Sequence, residues 1–179
     1  STTSVSHAAV EMATERLGTL QGRRVLVVGA GEMGEGIAAA LVSAGASDIT
    51  VTNRTEARAE QLAARVDGRV VPFHELTQVI AQVDVLLTCT GAGSVIIDSD
   101  TVLNARVGIN AELLIVDIAV PRDVDSAAAL LDGVTLLDME DLRTFAQAGV
   151  AERTREVAAV EAIVAQESQR HLDVATARE

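Results

Sequence analysis

Between residues 24 and 137 the chain alternates short aliphatic runs with longer stretches in which apolar residues recur every third or fourth position. The runs 24–28, 48–52, 69–71, 83–89, 112–117 and 134–137 predict strands, and their near-continuous apolar character suits strands covered on both faces. The stretches 35–44, 55–66, 75–81 and 98–104 predict helices, the first closed by Gly45. This alternation predicts right-handed βαβ units on a parallel sheet. One more helix is expected ahead of the first strand, over 5–17, capped by Ser4 or Ser6 and ended by Gly18 and Gly22.

Past residue 137 the pattern changes. From Asp138 to Ala175 there is no Pro and the only Gly is Gly149, while Leu142, Phe145, Val150, Val157, Val160, Val164 and Leu172 recur at helical spacing. Asp138 and Asp141 form a capping pair at the start. Such a helix is about 55 Å long at its rise per residue, against about 35 Å for a compact domain built from the rest. It is therefore expected to project and to need a partner for its apolar stripe, either a second chain or a further domain. The alternative is a helix that bends at Gly149 and folds back on the sheet. The fold class expected is α/β, a doubly wound parallel sheet followed by a long C-terminal helix. The domains expected are a linker helix over 1–22, a nucleotide-binding domain over 23–137, and a long helix over 138–179 leading to another domain.

Composition narrows the function. Hydrophobic residues make up 49% of the 179-residue chain, enough for a core and unlike a disordered segment. With two Phe and no Tyr or Trp, the core has to be aliphatic and no base-stacking surface is available. The net charge is −12 and every cation is Arg, so direct binding to nucleic acid is not expected. One cysteine, Cys89, excludes an internal disulfide. No apolar run is long enough to span a membrane, and residues 1–6 carry no basic region of a signal peptide, so a cytoplasmic location is expected. The first residue is Ser rather than Met, so further residues are expected before it.

The chemistry gathers at the ends of the strands. Gly29-Ala30-Gly31-Glu32-Met33-Gly34 matches G-x-G-x-x-G between a buried strand and a helix, the context that gives this pattern meaning. Gly29 serves the tight turn, Gly31 lets a pyrophosphate approach the backbone, and Gly34 lets helix pack on strand. That is the phosphate-binding turn of a Rossmann-type dinucleotide domain. After the second strand stand Asn53, Arg54 and Thr55, where an NAD site usually carries Asp or Glu. Arg54 can fork onto a 2′-phosphate, with Arg58 one turn later assisting, so NADPH is expected over NADH. Thr90, Gly91 and Ala92 form a small-residue loop after the fourth strand, expected beside the nicotinamide half. Cys89 has no base or cation among its sequence neighbours and reads as an inert strand thiol. In Asp117-Ile118-Ala119-Val120-Pro121-Arg122-Asp123 the proline sets a turn, and Asp117, Arg122 and Asp123 can tie the loop together; substrate contact is the alternative. His7, His74 and His171 are scattered, without metal-ligand spacing.

These motifs, together with Ser4-Val5-Ser6 and Ala8-Ala9-Val10-Glu11 ahead of them, occur in the order found in glutamyl-tRNA reductases, which the chain resembles over nearly its whole length. The stretches GAGEMG and DIAVPRD are the specific ones, since NRT occurs in shikimate dehydrogenases too. The resemblance implies the central NADPH domain and the start of the spinal helix of a three-domain enzyme. That enzyme reduces glutamyl-tRNA to glutamate-1-semialdehyde, on the route to tetrapyrroles such as heme. It also implies a homodimer formed through the C-terminal helix and glutamate-1-semialdehyde aminomutase as a partner. The family's nucleophilic Cys lies in an S-T-C-N-R-type motif with no counterpart here, and Cys89 is not it. By itself the chain is therefore expected to hold NADPH without catalysing reduction. Two other readings stay open: a shikimate-dehydrogenase-like enzyme, whose catalytic Lys this Lys-free chain lacks, and a non-catalytic NADP-binding interaction module.

Overall fold

The computed structural model describes the backbone of residues 2–178 and the side chains of residues 3–171; Ser1, Glu179 and the Leu172 side chain expected in the helical stripe lie outside them. The chain divides into two units, residues 1–142 and 143–179.

In the first unit six parallel strands form one sheet: β1 (Arg24–Val28), β2 (Asp48–Thr52), β3 (Arg69–Val70), β4 (Val85–Thr88), β5 (Leu113–Asp117) and β6 (Val134–Leu137). Their order is β3-β2-β1-β4-β5-β6, so the chain winds outward one way from β1 and then returns to wind the other way from β4. The reversal falls between β1 and β4, and this is where α/β sheets open a crevice for ligands. The helices are α1 (Thr2–Leu17), α2 (Glu32–Ser43), α3 (Glu56–Arg65), α4 (Leu76–Ile80) and α5 (Ser99–Ala105). The doubly wound parallel sheet expected from the alternation is present.

Side chains alternate across the strands. Leu26, Val28, Leu86, Leu113 and Ile115 pack with Leu76 and Ile80 of α4, Val102 and Ala105 of α5, Ile97 and Val124 from loops, and Ala128 from the short 3-10 helix Ser126–Leu130. Arg106, just past α5, donates to four carbonyls, those of Ile80, Ala81, Val83 and Ala111, at 2.7–3.4 Å. One guanidinium thereby satisfies backbone acceptors at the end of α4 that would otherwise lack partners.

α1 belongs to the same unit as the sheet and packs on α2 and β5. Its Ala9, Val10, Met12 and Ala13 are buried, as is Leu20 beyond it. The two helices come close at Ser6 and Gly36: a Cβ at Gly36 would sit 2.5 Å from Ser6 Oγ. Any side chain at Gly36 would push the two helices apart.

α6 (Met139–Arg178) is one continuous helix of 40 residues that runs through Gly149. Its start is the expected capping pair. Asp138 Oδ1 accepts from the N–H groups of Glu140 and Asp141 at 2.9 and 3.1 Å, and Asp141 returns a carboxylate to the Asp138 N–H at 2.9 Å. Leu142 is buried, whereas Val150, Val157, Val160, Ile163 and Val164 are more than half exposed. No helix among the described residues is long and apolar enough to cross a membrane.

Candidate functional site

Four strands end in register. Val28 of β1 lies level with Thr52 of β2 and Thr88 of β4, and Thr88 with Asp117 of β5. The turns that follow these residues therefore emerge side by side at the carboxyl edge of the sheet, on either side of the crevice between β1 and β4.

The Gly-rich turn is tightest at its two ends. Gly29 has φ +114°, a conformation that L side chains avoid, and a Cβ there would meet Cys89 Sγ at 3.1 Å. At Gly34 a Cβ would stand 2.2 Å from the Gly29 carbonyl oxygen, so the turn closes on itself only because this residue has none. Gly31 is the opposite case: a Cβ there meets nothing within 4 Å. Of the three glycines of the motif, Gly31 alone has free space where a side chain would stand. Gly31 is also the N-cap of α2 and has no side chain to satisfy the first-turn N–H groups. These groups, with the helix dipole behind them, suit a phosphate. α2 starts at Glu32, three residues earlier than the periodicity indicates, so Glu32, Met33 and Gly34 are already helical. The Glu32 side chain is exposed, and Ser6 Oγ lies 3.2 Å from the Met33 carbonyl oxygen and 3.1 Å from its sulfur.

Asn53 joins this turn to the end of β2. Its Oδ1 accepts from the Ala30 N–H at 3.2 Å, and its Nδ2 donates to the Thr55 carbonyl at 3.0 Å. Arg54, Thr55 and Arg58 are exposed. The Arg54 guanidinium lies over the Phe73 ring, 5.4 Å from its centroid, which gives a flexible cation a fixed platform. Sequence reasoning passed over Phe73; the one available signal was that an aromatic side chain is rare in this chain.

On the other side of the crevice, Thr90 is half-buried while Gly91 and Ala92 are exposed. Thr90 is held by Asp123, which is fully buried. One Asp123 oxygen accepts from Thr88 Oγ1 at 2.6 Å and from the Thr90 N–H at 2.8 Å; the other accepts a short hydrogen bond from Thr90 Oγ1. Asp117, also buried, accepts from the N–H groups of Ala119, Asp123 and Val124 at 2.9–3.1 Å. Burial raises the Asp117 pKa above the ordinary carboxylate value, and the Asp123 charge pushes the same way against those hydrogen bonds. The two aspartates tie the loop as expected, but Arg122 does not join them. It reaches Asp138 at 2.5 Å and fastens the loop to the cap of α6. The Val120–Pro121 bond in this loop is cis.

Cys89 lies beneath the Gly-rich turn with its thiol 3.5 Å from the Val28 carbonyl. Burial, and then the Asp123 and Asp117 charges, push its pKa up to about 12, so the thiol stays protonated and unreactive. Among the described residues no His, Cys, Asp and Glu cluster could hold a metal ion.

The strand order, the crevice and the open Gly31 define a Rossmann-type dinucleotide-binding domain. The chain belongs to the shikimate / quinate 5-dehydrogenase family, whose model matches residues 11–145. It is 42% identical over 164 residues to a glutamyl-tRNA reductase of Archaeoglobus fulgidus, a match that covers 92% of this chain and 38% of the relative. Among solved structures, the glutamyl-tRNA reductase of Methanopyrus kandleri superposes with a TM-score of 0.78 at 39% identity, covering 86% of this chain and 39% of that one. The nucleotide-binding domain of a glutamyl-tRNA reductase from Thermoplasma volcanium matches at a TM-score of 0.59 and 17% identity over 87% of this chain and 96% of its own, which shows a shared fold. The chain spans about two fifths of the length of the full-length relatives it matches.

Proposed function

We propose that this chain is the NADPH-holding part of a glutamyl-tRNA reductase. The observation that carries the proposal is the pairing of two features at one sheet edge. Gly31 leaves room for a pyrophosphate at the start of α2, and the end of β2 offers Asn53, Arg54 and Thr55 with no carboxylate before Glu56. Gly29, Gly31, Glu32, Met33 and Gly34 would take the pyrophosphate, the last three through their backbone. Arg54, with Asn53, Thr55 and Arg58, would take the 2′-phosphate, and Thr90, Gly91 and Ala92 the nicotinamide half. When bound, NADPH supplies a hydride. The resemblance to glutamyl-tRNA reductases supports glutamyl-tRNA as the substrate of the larger protein and glutamate-1-semialdehyde as its product, on the way to heme and other tetrapyrroles.

Further parts of the proposal are a cytoplasmic location, the division into a linker helix, a nucleotide domain and a spinal helix, and glutamate-1-semialdehyde aminomutase as the partner that receives the product. Dimerisation through α6 is proposed as well. Its Val150, Val157, Val160 and Val164 are exposed and recur at spacings of seven and of three or four, which suits a helix-to-helix seam.

The test is a titration of the chain with NADPH and NADH, followed by nicotinamide fluorescence without interference from Trp. NADPH should bind more tightly. Arg54→Ala should weaken NADPH by about 1.5–3 kcal/mol, the range for a hydrogen bond to a charged group, and leave NADH nearly unchanged. Equal loss for both would remove Arg54 from the phosphate site, and no binding of either would sink the cofactor reading.

A further inference from the structure

Asp123 is a buried carboxylate that, among the described residues, forms no ion pair and is spent on the end of β4 and the loop that follows it. Among the described residues it accepts from Thr88 Oγ1, from the Thr90 N–H and from Thr90 Oγ1, and these three donors span the point where β4 gives way to the exposed Gly91–Gly93 turn. Its own backbone is pinned, because the Asp123 N–H donates to Asp117 at 3.0 Å and its carbonyl accepts from Ile96 and Ile97 at 2.8 and 3.0 Å. Two carboxylates, Asp117 and Asp123, thus stand in series. The first holds the loop after β5, and that loop holds the loop after β4.

A buried charge is costly unless its hydrogen bonds are complete, and a neutral side chain of similar shape would keep two loops together at lower cost. What a carboxylate adds is rigidity: it takes several short bonds from one loop and fixes where that loop's backbone points. The loop so fixed lies on the β4 side of the crevice, whereas Arg54 lies on the β2 side. A dinucleotide laid across the reversal between β1 and β4 has its adenosine half on the β2 side and its nicotinamide half on the β4 side.

We propose that Asp123 is a positioning residue for the nicotinamide half of the cofactor, acting through Thr88 and Thr90 and never touching the cofactor. The proposal rests on the NADPH reading above and goes beyond it by assigning the two halves of the cofactor to separately held loops.

The test compares two ligands by calorimetry on the full chain: NADPH, and 2′-phospho-ADP-ribose, which lacks the nicotinamide. Asp123→Asn should weaken NADPH about tenfold, the equivalent of one lost charged hydrogen bond, and leave 2′-phospho-ADP-ribose within about twofold. Thr88→Val supplies the second variant. It keeps the strand residue's shape but removes one donor to Asp123, and it should reproduce part of the selective loss, with Thr88→Ser restoring the unaltered ratio. A general loosening of the fold would weaken both ligands alike. Equal losses, or no loss of NADPH, with the unaltered chain binding both ligands, would overturn the positioning role alone. An unaltered chain that binds neither ligand would overturn the cofactor reading and this proposal together.

Discussion

Gly31 and Gly34 stand three residues apart in one motif, yet replacing each by Ala should have opposite consequences. At Gly34 the added Cβ falls 2.2 Å from the Gly29 carbonyl oxygen and 2.9 Å from its carbon, both rigid backbone atoms. The turn or the first turn of α2 has to move by more than an ångström to reach ordinary contact. Overpacking of this kind costs about 1–3 kcal/mol. A loss of about 2 kcal/mol in a chain of this size lowers the melting temperature by about 4–8 °C. At Gly31 the Cβ meets nothing and the backbone is extended, at φ −82° and ψ −161°. Ala there restricts the unfolded chain but is a poorer N-cap than Gly, and the two effects oppose each other, so stability should change by less than about 1 kcal/mol. Binding should fall, however, because the methyl group occupies the space left for the pyrophosphate. Two lost charge-assisted hydrogen bonds at about 1.5 kcal/mol each amount to about a hundredfold in affinity. Thermal melts without ligand, followed by NADPH titration of both variants, read the two quantities separately. A Gly31→Ala chain that binds NADPH as the unaltered chain does would refute the placing of the pyrophosphate. A Gly34→Ala chain that melts with the unaltered one would refute the steric argument.

Two further outcomes follow from α6. The full chain should sediment as a dimer and a chain ending at Gly149 as a monomer; identical monomers would remove α6 from self-association. At the other end of the helix, burial pushes the Asp138 pKa up, but hydrogen bonds from Asp141, the Arg122 charge and a hydrogen bond from Glu140 outweigh it and hold it below the usual carboxylate value. A depressed pKa in the folded state gives stability that is present above the unfolded value and lost as pH falls through the folded one. Asp138→Ala should therefore cost about 1 kcal/mol at neutral pH, measured by urea unfolding, and the gap should narrow as the pH is taken below about 4. A gap that stays constant into acid would show that the cap works without its charge.

The architecture was legible wherever the cause is local. β1, β2 and β6 lie where their aliphatic runs fall, because Gly and polar residues bound them, and in β1 and β2 burial on both faces leaves little choice of register. The start of α2 was misplaced because Glu32 and Met33 read as part of a loop, whereas a helix capped by a bare glycine backbone leaves no side-chain signal. The Gly-rich turn was legible at its two ends, since Gly29 needs a positive φ and Gly34 closes on the Gly29 carbonyl, whereas a Cβ at Gly31 would meet nothing. What could not be read depends on partners distant in sequence. Gly36 is small because of Ser6, Phe73 lies under Arg54, and Asp123 reaches back to Thr88 and Thr90. Arg122 could be foreseen as a tether, but its partner Asp138 could not, because only the folded sheet brings the ends of β5 and β6 together.

The contact between α1 and α2 bears on how such a module can be moved between proteins. The first strand and its glycine motif look like a natural starting point for an independent cassette. Yet the helix that follows this motif leans on a segment encoded upstream of that strand, with Ser6 against both Gly36 and Met33. A recombination joint placed at Arg24 would leave α2 with an uncovered flank beside an empty notch. The heritable unit is longer than the motif by one helix, and any graft or evolutionary fusion that keeps a working turn has to carry α1 along with it.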